Sequence, residues 1–235
     1  MIHGDDGKKL SKRHGALGVE EYRDMGYLPE AMRAYLLRLG WSKGDLDIVS
    51  TEEALELFGL EGLGKSPSRL DFAKMGSVNA HFMRLADDQR LVTLMREHAA
   101  RAGQPEIAKS DAELAAAVAY LKDRAKTLPE LYDQFGFILA QRPLPRDEKT
   151  QKTLPEEAVA HLGRLQPILA NVETWQHTEI KAALDKFAEA EGIGFGKIGP
   201  PLRAALTGGL PAPDLAIALE LLGRDESLAR LGDVM

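Results

Sequence analysis

A Ser or Thr followed three positions later by Glu, at the head of an apolar periodic run, recurs along this chain and limits what it can fold into. Ser50 with Glu53, Ser110 with Glu113 and Thr127 with Glu130 all make the pattern. The hydroxyl takes one orphan N–H of a helix's first turn and the carboxylate takes another, so each pair marks a helix start. After the second pair, Leu114, Val118 and Leu121 keep helical spacing. The first pair opens a short helix ending near Phe58 and Gly59. Pro29 suits a first helical turn, with Met32, Tyr35, Leu36 and Leu39 on one face and Gly40 as a stop. Further on, 155–170 and 178–191 read as a helical pair, and 200–206 and 213–222 as two proline-opened helices closed near glycine. Two stretches break the pattern. Asp6-Gly7 is a hairpin-type turn signal that predicts a short β-ribbon at the start, and 141–152, with Pro143, Pro145 and clustered charges, reads as a linker. The expected fold is mainly α, with a boundary near Pro143.

Composition narrows the class. With 235 residues and 44% apolar content, the chain can bury one large core or several small ones. It has no cysteine, which excludes a disulfide framework, a thiolate metal site and a cysteine nucleophile. The longest apolar run, Leu114 through Leu121, is far below the roughly 20 residues a spanning helix needs. No apolar segment for a secretory signal follows Met1. The expectation is a cytoplasmic chain with no membrane contact.

The net charge of −6 is unevenly spread. Lys8, Lys9, Lys12 and Arg13 cluster without an acid; Lys65, Arg69, Lys74 and Arg84 face only Asp71; Lys197 and Arg203 lie in an acid-free stretch. Basic patches on an acidic body suit one particular polyanion, although a solvated surface would read the same way.

Most chemistries fall away. The histidines (His3, His14, His81, His98, His161, His177) never take a metal-ligand spacing, so no metal site is expected. The stretch from Gly194 to Gly199 is glycine-rich around Lys197, but it lacks a preceding strand and the Gly-Lys-Ser/Thr ending, which favours a loop or helix start. Glu20-Glu21 and Glu156-Glu157 suit exposed helix starts better than an acid/base couple. The segment Lys9-Leu10-Ser11-Lys12-Arg13 does carry chemistry. Its ammonium groups, between Gly7 and Gly15, can close around a polyphosphate, and Ser11 adds a small hydroxyl. By itself the pentapeptide also fits an exposed loop.

The neighbouring residues add a resemblance. The pentapeptide is similar to the second signature, Lys-Met-Ser-Lys-Ser, of the bacterial glutamyl-tRNA synthetases, which are class I aminoacyl-tRNA synthetases. The likeness continues through His14-Gly15-Ala16, Val19-Glu20-Glu21-Tyr22, Gly26-Tyr27-Leu28-Pro29-Glu30-Ala31, Tyr35-Leu36 and Leu39-Gly40-Trp41-Ser42. It runs on to Phe72, Lys74-Met75 and Asn79, then to Thr127-Leu128, Glu130-Leu131, Pro201-Leu202-Arg203, Ala205 to Gly208 and Leu222-Gly223, covering essentially the whole chain in order.

The resemblance implies a C-terminal portion beginning at the signature loop, without the Rossmann-type domain that holds the adenine and glutamate sites. The implied division is 1–15 for the signature loop, 16–86 for a stem-contact helical domain, and 87–142 and 143–235 for two anticodon-binding subdomains. It implies a ligase reaction in which glutamate and ATP, with Mg2+, give glutamyl-adenylate, followed by transfer to tRNA(Glu). Lys12 is the expected ATP-binding catalytic lysine, with Lys9 assisting and Ser11 beside the phosphates. Arg124 and Arg203 are the implied anticodon-facing arginines, with Pro213 and Leu215 as van der Waals contacts. An arginine at position 124 is associated with preferring tRNA(Glu) over tRNA(Gln). Trp175 is expected in a packed core. Ser77 stands where many relatives have tryptophan, which puts transferred contacts near Lys74 and Asn79 in doubt. The chain is expected to be monomeric and catalytically silent alone. Two alternatives remain: a helical interaction module without tRNA binding, and a chain that complements a separate catalytic half.

Overall fold

The computed structural model describes residues 2–4, 8–10 and 17–235. Ser11, Lys12 and Arg13, and the turn expected at Asp6-Gly7, lie outside the described residues. The chain forms two compact units, dividing after Tyr132.

The first unit opens with β1 (Ile2–His3), and helices α1 (Val19–Asp24), α2 (Pro29–Gly40) and α3 (Thr51–Leu57) follow. Next come β2 (Ser68–Arg69), α4 (Phe72–Leu85), α5 (Asp88–Arg101) and α6 (Asp111–Leu121), and α7 (Leu128–Asp133) ends the unit. Strands β1 and β2 pair in parallel, Ile2 opposite Ser68 and His3 opposite Arg69. The ribbon expected at the start is present: His3 bridges Lys9 antiparallel, and Leu10 N–H donates to the Ile2 carbonyl at 2.9 Å. Helix α2 packs on α4 and α5 on α6, burying Leu28, Tyr35, Met75, Met83, Leu91, Met95, Leu114 and Leu121.

The second unit holds α8 (Gly136–Leu139), α9 (Glu148–Gln151), α10 (Glu156–Ala170), α11 (His177–Ala190), α12 (Phe195–Thr207), α13 (Leu215–Leu222) and α14 (Arg224–Gly232). Its core joins Phe137, Leu162, Leu165, Leu169, Ile180, Leu184, Leu202, Leu206 and Leu219.

Three details differ from the sequence expectation. The segment 141–152 is ordered. Leu144 is buried, Arg142 makes a two-pronged ion pair with Asp233 at 2.8 Å, and Asp147 caps α9. Proline and charge density mimic a linker but do not prevent docking when both charged ends find partners. Helix α12 begins at Phe195 and runs through Pro200 and Pro201, whose missing N–H groups would face carbonyls of the first turn only. Helices α4 and α5 lack the Ser/Glu signature. They are capped by Asp71 and Asp87, whose carboxylates accept from Lys74 N–H and Arg90 N–H, each at 2.9 Å.

Candidate nucleic-acid interface

The described flank of the signature loop is anchored to the helical body. Leu70 N–H donates to the His3 carbonyl at 2.9 Å, and the next residue, Asp71, donates its N–H to the Tyr35 hydroxyl at 2.7 Å. Lys8 and Lys9 are both exposed on this flank. Two exposed ammonium groups on a pinned ribbon fit a polyphosphate donor set.

Lys74 and Asn79 take different roles although both sit on α4. The Lys74 ammonium is 2.5 Å from an Asp47 carboxylate oxygen, and Arg38 pairs with the same carboxylate. Asn79 is wholly buried: its Oδ1 accepts from Leu28 N–H at 2.8 Å, and its Nδ2 donates to the Lys126 carbonyl at 2.5 Å. It is a structural fastener. Ser77 is exposed, its hydroxyl donating to the Ala73 carbonyl at 3.0 Å, so the core of α4 closes through Met75, Val78 and Met83 without it.

Arg124 is exposed at the end of a single 3₁₀ turn, Lys122–Arg124, that closes α6. The turn is fixed on both sides. The Lys122 ammonium reaches Asp88 at 2.8 Å and the Ala86 carbonyl at 3.0 Å, while Ala125 is buried. Below it, Leu128 N–H donates to the Gly26 carbonyl at 3.1 Å. Gly26 has φ +83°, and a Cβ there would lie 2.2 Å from Pro129 Cδ, so both conformation and close approach demand glycine.

Arg203, on α12 in the second unit, is half-buried and donates from Nη1 to the Ala212 carbonyl at 3.2 Å. This brings Arg203 to the backbone just ahead of Pro213. Pro213 is buried, and Leu215 is 4% exposed, its side chain packed in the core of the second unit. Trp175 packs against that core, with Nε1 donating to the Leu219 carbonyl at 2.9 Å and the Arg224 guanidinium 5.4 Å from the ring centre. Arg230 was not singled out from the sequence. It is 1% exposed and donates to the Phe137, Leu206 and Ala140 carbonyls at 2.7, 2.6 and 2.9 Å, with Nε 2.6 Å from Glu226. Spacing Glu226–Arg230 at i,i+4 was its one sequence signal.

Among the described residues no cluster of His, Asp and Glu could hold a metal ion, and no helix is long and apolar enough to cross a membrane.

The chain matches the family described as anticodon binding domain over residues 90–235, and the family described as the catalytic domain of class I (E and Q) tRNA synthetases over 1–77. It is 51% identical over 240 residues to glutamate–tRNA ligase 1 of Hyphomonas neptunium, covering 99% of this chain and 48% of that one. With glutamate–tRNA ligase 2 of Maricaulis maris the identity is 50% over 238 residues, covering 100% and 50%. A crystal structure of a glutamate tRNA ligase from Elizabethkingia meningosepticum, in complex with its amino acid, is similar at a TM-score of 0.85 and 27% identity. That match covers 100% of this chain and 50% of the other. The chain thus spans about half the length of the curated relatives it matches.

Proposed function

Because the chain belongs to the anticodon-binding-domain family, with a class I (E and Q) synthetase match at its N-terminal end, we propose that it is the tRNA-recognising part of a glutamate–tRNA ligase. The observation that carries this reading is identity near 50% across the whole chain to glutamate–tRNA ligases, in a mainly helical frame that presents Arg124 on a fixed turn. The whole enzyme joins glutamate to tRNA(Glu) through a glutamyl-adenylate made from ATP. Lys12 and Lys9 hold the triphosphate, with Ser11 beside it, and Mg2+ accompanies the nucleotide. The ammonium groups stabilise negative charge passing to the departing pyrophosphate.

Arg124 and Arg203 are the anticodon contacts. A guanidinium offers two parallel donors to a base edge or phosphate and a flat face for a splayed base. Arg124 serves this role as an exposed fork on a rigid turn. Arg203 retains donors beyond the one committed to Ala212. The residue division 1–15, 16–86, 87–142 and 143–235 is the working assignment of signature loop, stem-contact domain and two anticodon-binding subdomains, in a cytoplasmic monomer. tRNA(Gln) is the competing ligand that Arg124 discriminates against.

The test is direct binding of the 235-residue chain to tRNA(Glu) at several salt concentrations. Salt-sensitive binding that exceeds binding of an unrelated tRNA is expected, because each phosphate contact releases counterions. Absence of binding would favour the helical interaction module instead. Pyrophosphate exchange with glutamate, ATP and tRNA(Glu) present should stay at background for the chain alone, since charge stabilisation without substrate positioning forfeits the main catalytic contributions.

A further inference from the structure

His161 on α10 is 8% exposed, and its two ring nitrogens have different fates. Nδ1 lies 2.8 Å from Nη2 of Arg164. A guanidinium only donates, so Nδ1 must accept, and the neutral ring carries its proton on Nε2. That Nε2–H is buried and has no hydrogen-bond partner. An unsatisfied buried donor costs free energy comparable to a lost hydrogen bond, so it marks a place where an acceptor belongs.

His161 lines a cleft of about 330 Å³ on the second unit, together with Thr153, Pro155, Glu157, Gly196, Lys197 and Pro201. On the Nε2 side of the ring, Glu157 Oε1 lies 3.8 Å from Nε2 and 3.9 Å from the Lys197 ammonium. Both distances exceed a hydrogen bond. One oxygen therefore already stands between the two donors without bonding to either, on a carboxylate side chain that is 74% exposed and able to swing away.

The cleft also contains the first turn of α12. That thirteen-residue helix starts at Gly194 with no side-chain cap and no acid in its first turn. Its dipole and the N–H groups of Phe195 and Gly196 favour an anion there, the Lys197 N–H being committed to the Gly194 carbonyl at 2.9 Å. A Cβ built on Gly196 meets nothing within 4 Å, so the space in front of the turn is open. The glycine-rich stretch around Lys197, a helix start by its backbone, thus also lines a cleft in which polar groups from two helices meet among prolines.

We propose that this cleft is a phosphate-binding site, with the His161 Nε2–H and the Lys197 ammonium as donors, the first turn of α12 as backbone cradle, and Glu157 displaced on binding. The phosphate comes either from the backbone of bound RNA or from free phosphate. The RNA source rests on the reading under Proposed function; the site itself does not.

The experiment follows the His161 imidazole nitrogens by NMR in the intact chain at fixed pH and ionic strength, titrating inorganic phosphate and, separately, tRNA(Glu). Phosphate is expected to shift Nε2 saturably. Lys197→Ala should weaken the apparent affinity about fivefold or more, and Glu157→Gln should tighten it. Gly196→Asp provides a variant that folds, since an acid in the first turn stabilises a helix, yet it should abolish the response by filling the cleft with negative charge. An Nε2 shift with tRNA(Glu) that phosphate competes away identifies the RNA backbone as the source. A response to phosphate alone identifies free phosphate, and if tRNA then fails to bind anywhere, the proposed function falls while the site stands. No saturable shift with either ligand, or a Gly196→Asp variant that responds like the wild type, overturns the proposal.

Discussion

The side chain of Asn79 accepts a hydrogen bond from the backbone N–H of Leu28 at 2.8 Å, fifty-one positions earlier in the chain. Its amide nitrogen turns the other way and donates to the Lys126 carbonyl. One buried carboxamide therefore joins the start of α2, the middle of α4 and the backbone two residues beyond Arg124. Asparagine alone supplies a donor and an acceptor at that size and without charge. Asn79→Ala leaves both backbone groups unsatisfied in the interior and is expected to destabilise the first unit by about 2–4 kcal/mol. Asn79→Asp should be no milder, because it replaces the donor to Lys126 with an acceptor. Urea denaturation followed by the near-ultraviolet signal of Trp41 checks both. A loss below about 0.5 kcal/mol for either would show that water replaces the carboxamide without cost.

Arg230 plays the corresponding part in the second unit, at higher stakes. Its guanidinium satisfies three carbonyls that close α8, the segment after it and α12, and its charge is met by Glu226. Arg230→Met removes the fork, strands those carbonyls and leaves Glu226 unpaired, an expected loss of about 3–5 kcal/mol. Arg230→Lys should recover little, since one ammonium cannot reach carbonyls that a planar fork spans. Thermal unfolding of the two variants side by side tests the geometry. A lysine variant as stable as the wild type would mean that charge, and not shape, is what this position requires.

How much of this was legible from the sequence depends on whether the signal is local. The Ser50 and Ser110 boxes form as read: Glu53 N–H reaches Ser50 Oγ at 3.1 Å, and Ser50 N–H reaches the Glu53 carboxylate at 2.8 Å. At Thr127 the box is only half made. Glu130 N–H meets Thr127 Oγ1 at 3.4 Å, but the carboxylate turns to Lys126 N–H at 2.7 Å. The Asp71 and Asp87 caps went unread because Lys74 and Arg90 occupy the positions where a box would carry Glu. Apart from the i,i+4 spacing of Glu226 and Arg230, nothing local assigns the roles of Asn79, Arg230 and His161. Leu28 lies 51 positions from Asn79, Phe137 and Leu206 lie 93 and 24 positions from Arg230, and only three-dimensional packing brings Lys197 to the Glu157 carboxylate beside His161. For Leu215 the resemblance suggested a contact surface, whereas helical burial turns the side chain into the core.

Acid should loosen the first unit through Glu30. Burial pushes this carboxyl up, but two hydrogen bonds from Arg90, at 2.7 and 3.0 Å, outweigh it and hold the group below the ordinary carboxylate value. A carboxyl lowered in the folded state contributes stability above its unfolded pKa, and the contribution vanishes as pH falls through the lowered value. Arg90 is 43% exposed, so solvent screening keeps the pair modest. Glu30→Gln is expected to cost about 1 kcal/mol near neutrality, with the gap from the wild type closing as pH drops below about 4. Chemical denaturation at a series of pH values reads this. A gap that stays constant into acid would assign the loss to packing and not to the ion pair.

Arg124 and Arg203 should respond differently to mutation if each contacts the anticodon as proposed. Arg124 is an exposed fork on a braced turn, which suits reading one base. Arg203 already spends a donor on the Ala212 carbonyl and sits half-buried, a posture suited to holding backbone in register. Arg124→Gln keeps hydrogen-bonding capacity but loses charge and the rigid fork, so it should narrow the preference for tRNA(Glu) over tRNA(Gln) by about one to two decades, corresponding to roughly 1–3 kcal/mol. Arg203→Ala should weaken both tRNAs together and lower the slope of affinity against salt. Paired titrations of the two tRNAs at fixed salt separate the outcomes. Equal weakening by Arg124→Gln would make it a phosphate contact, and no weakening would leave it a surface cation of the helix end, with base recognition placed on other residues.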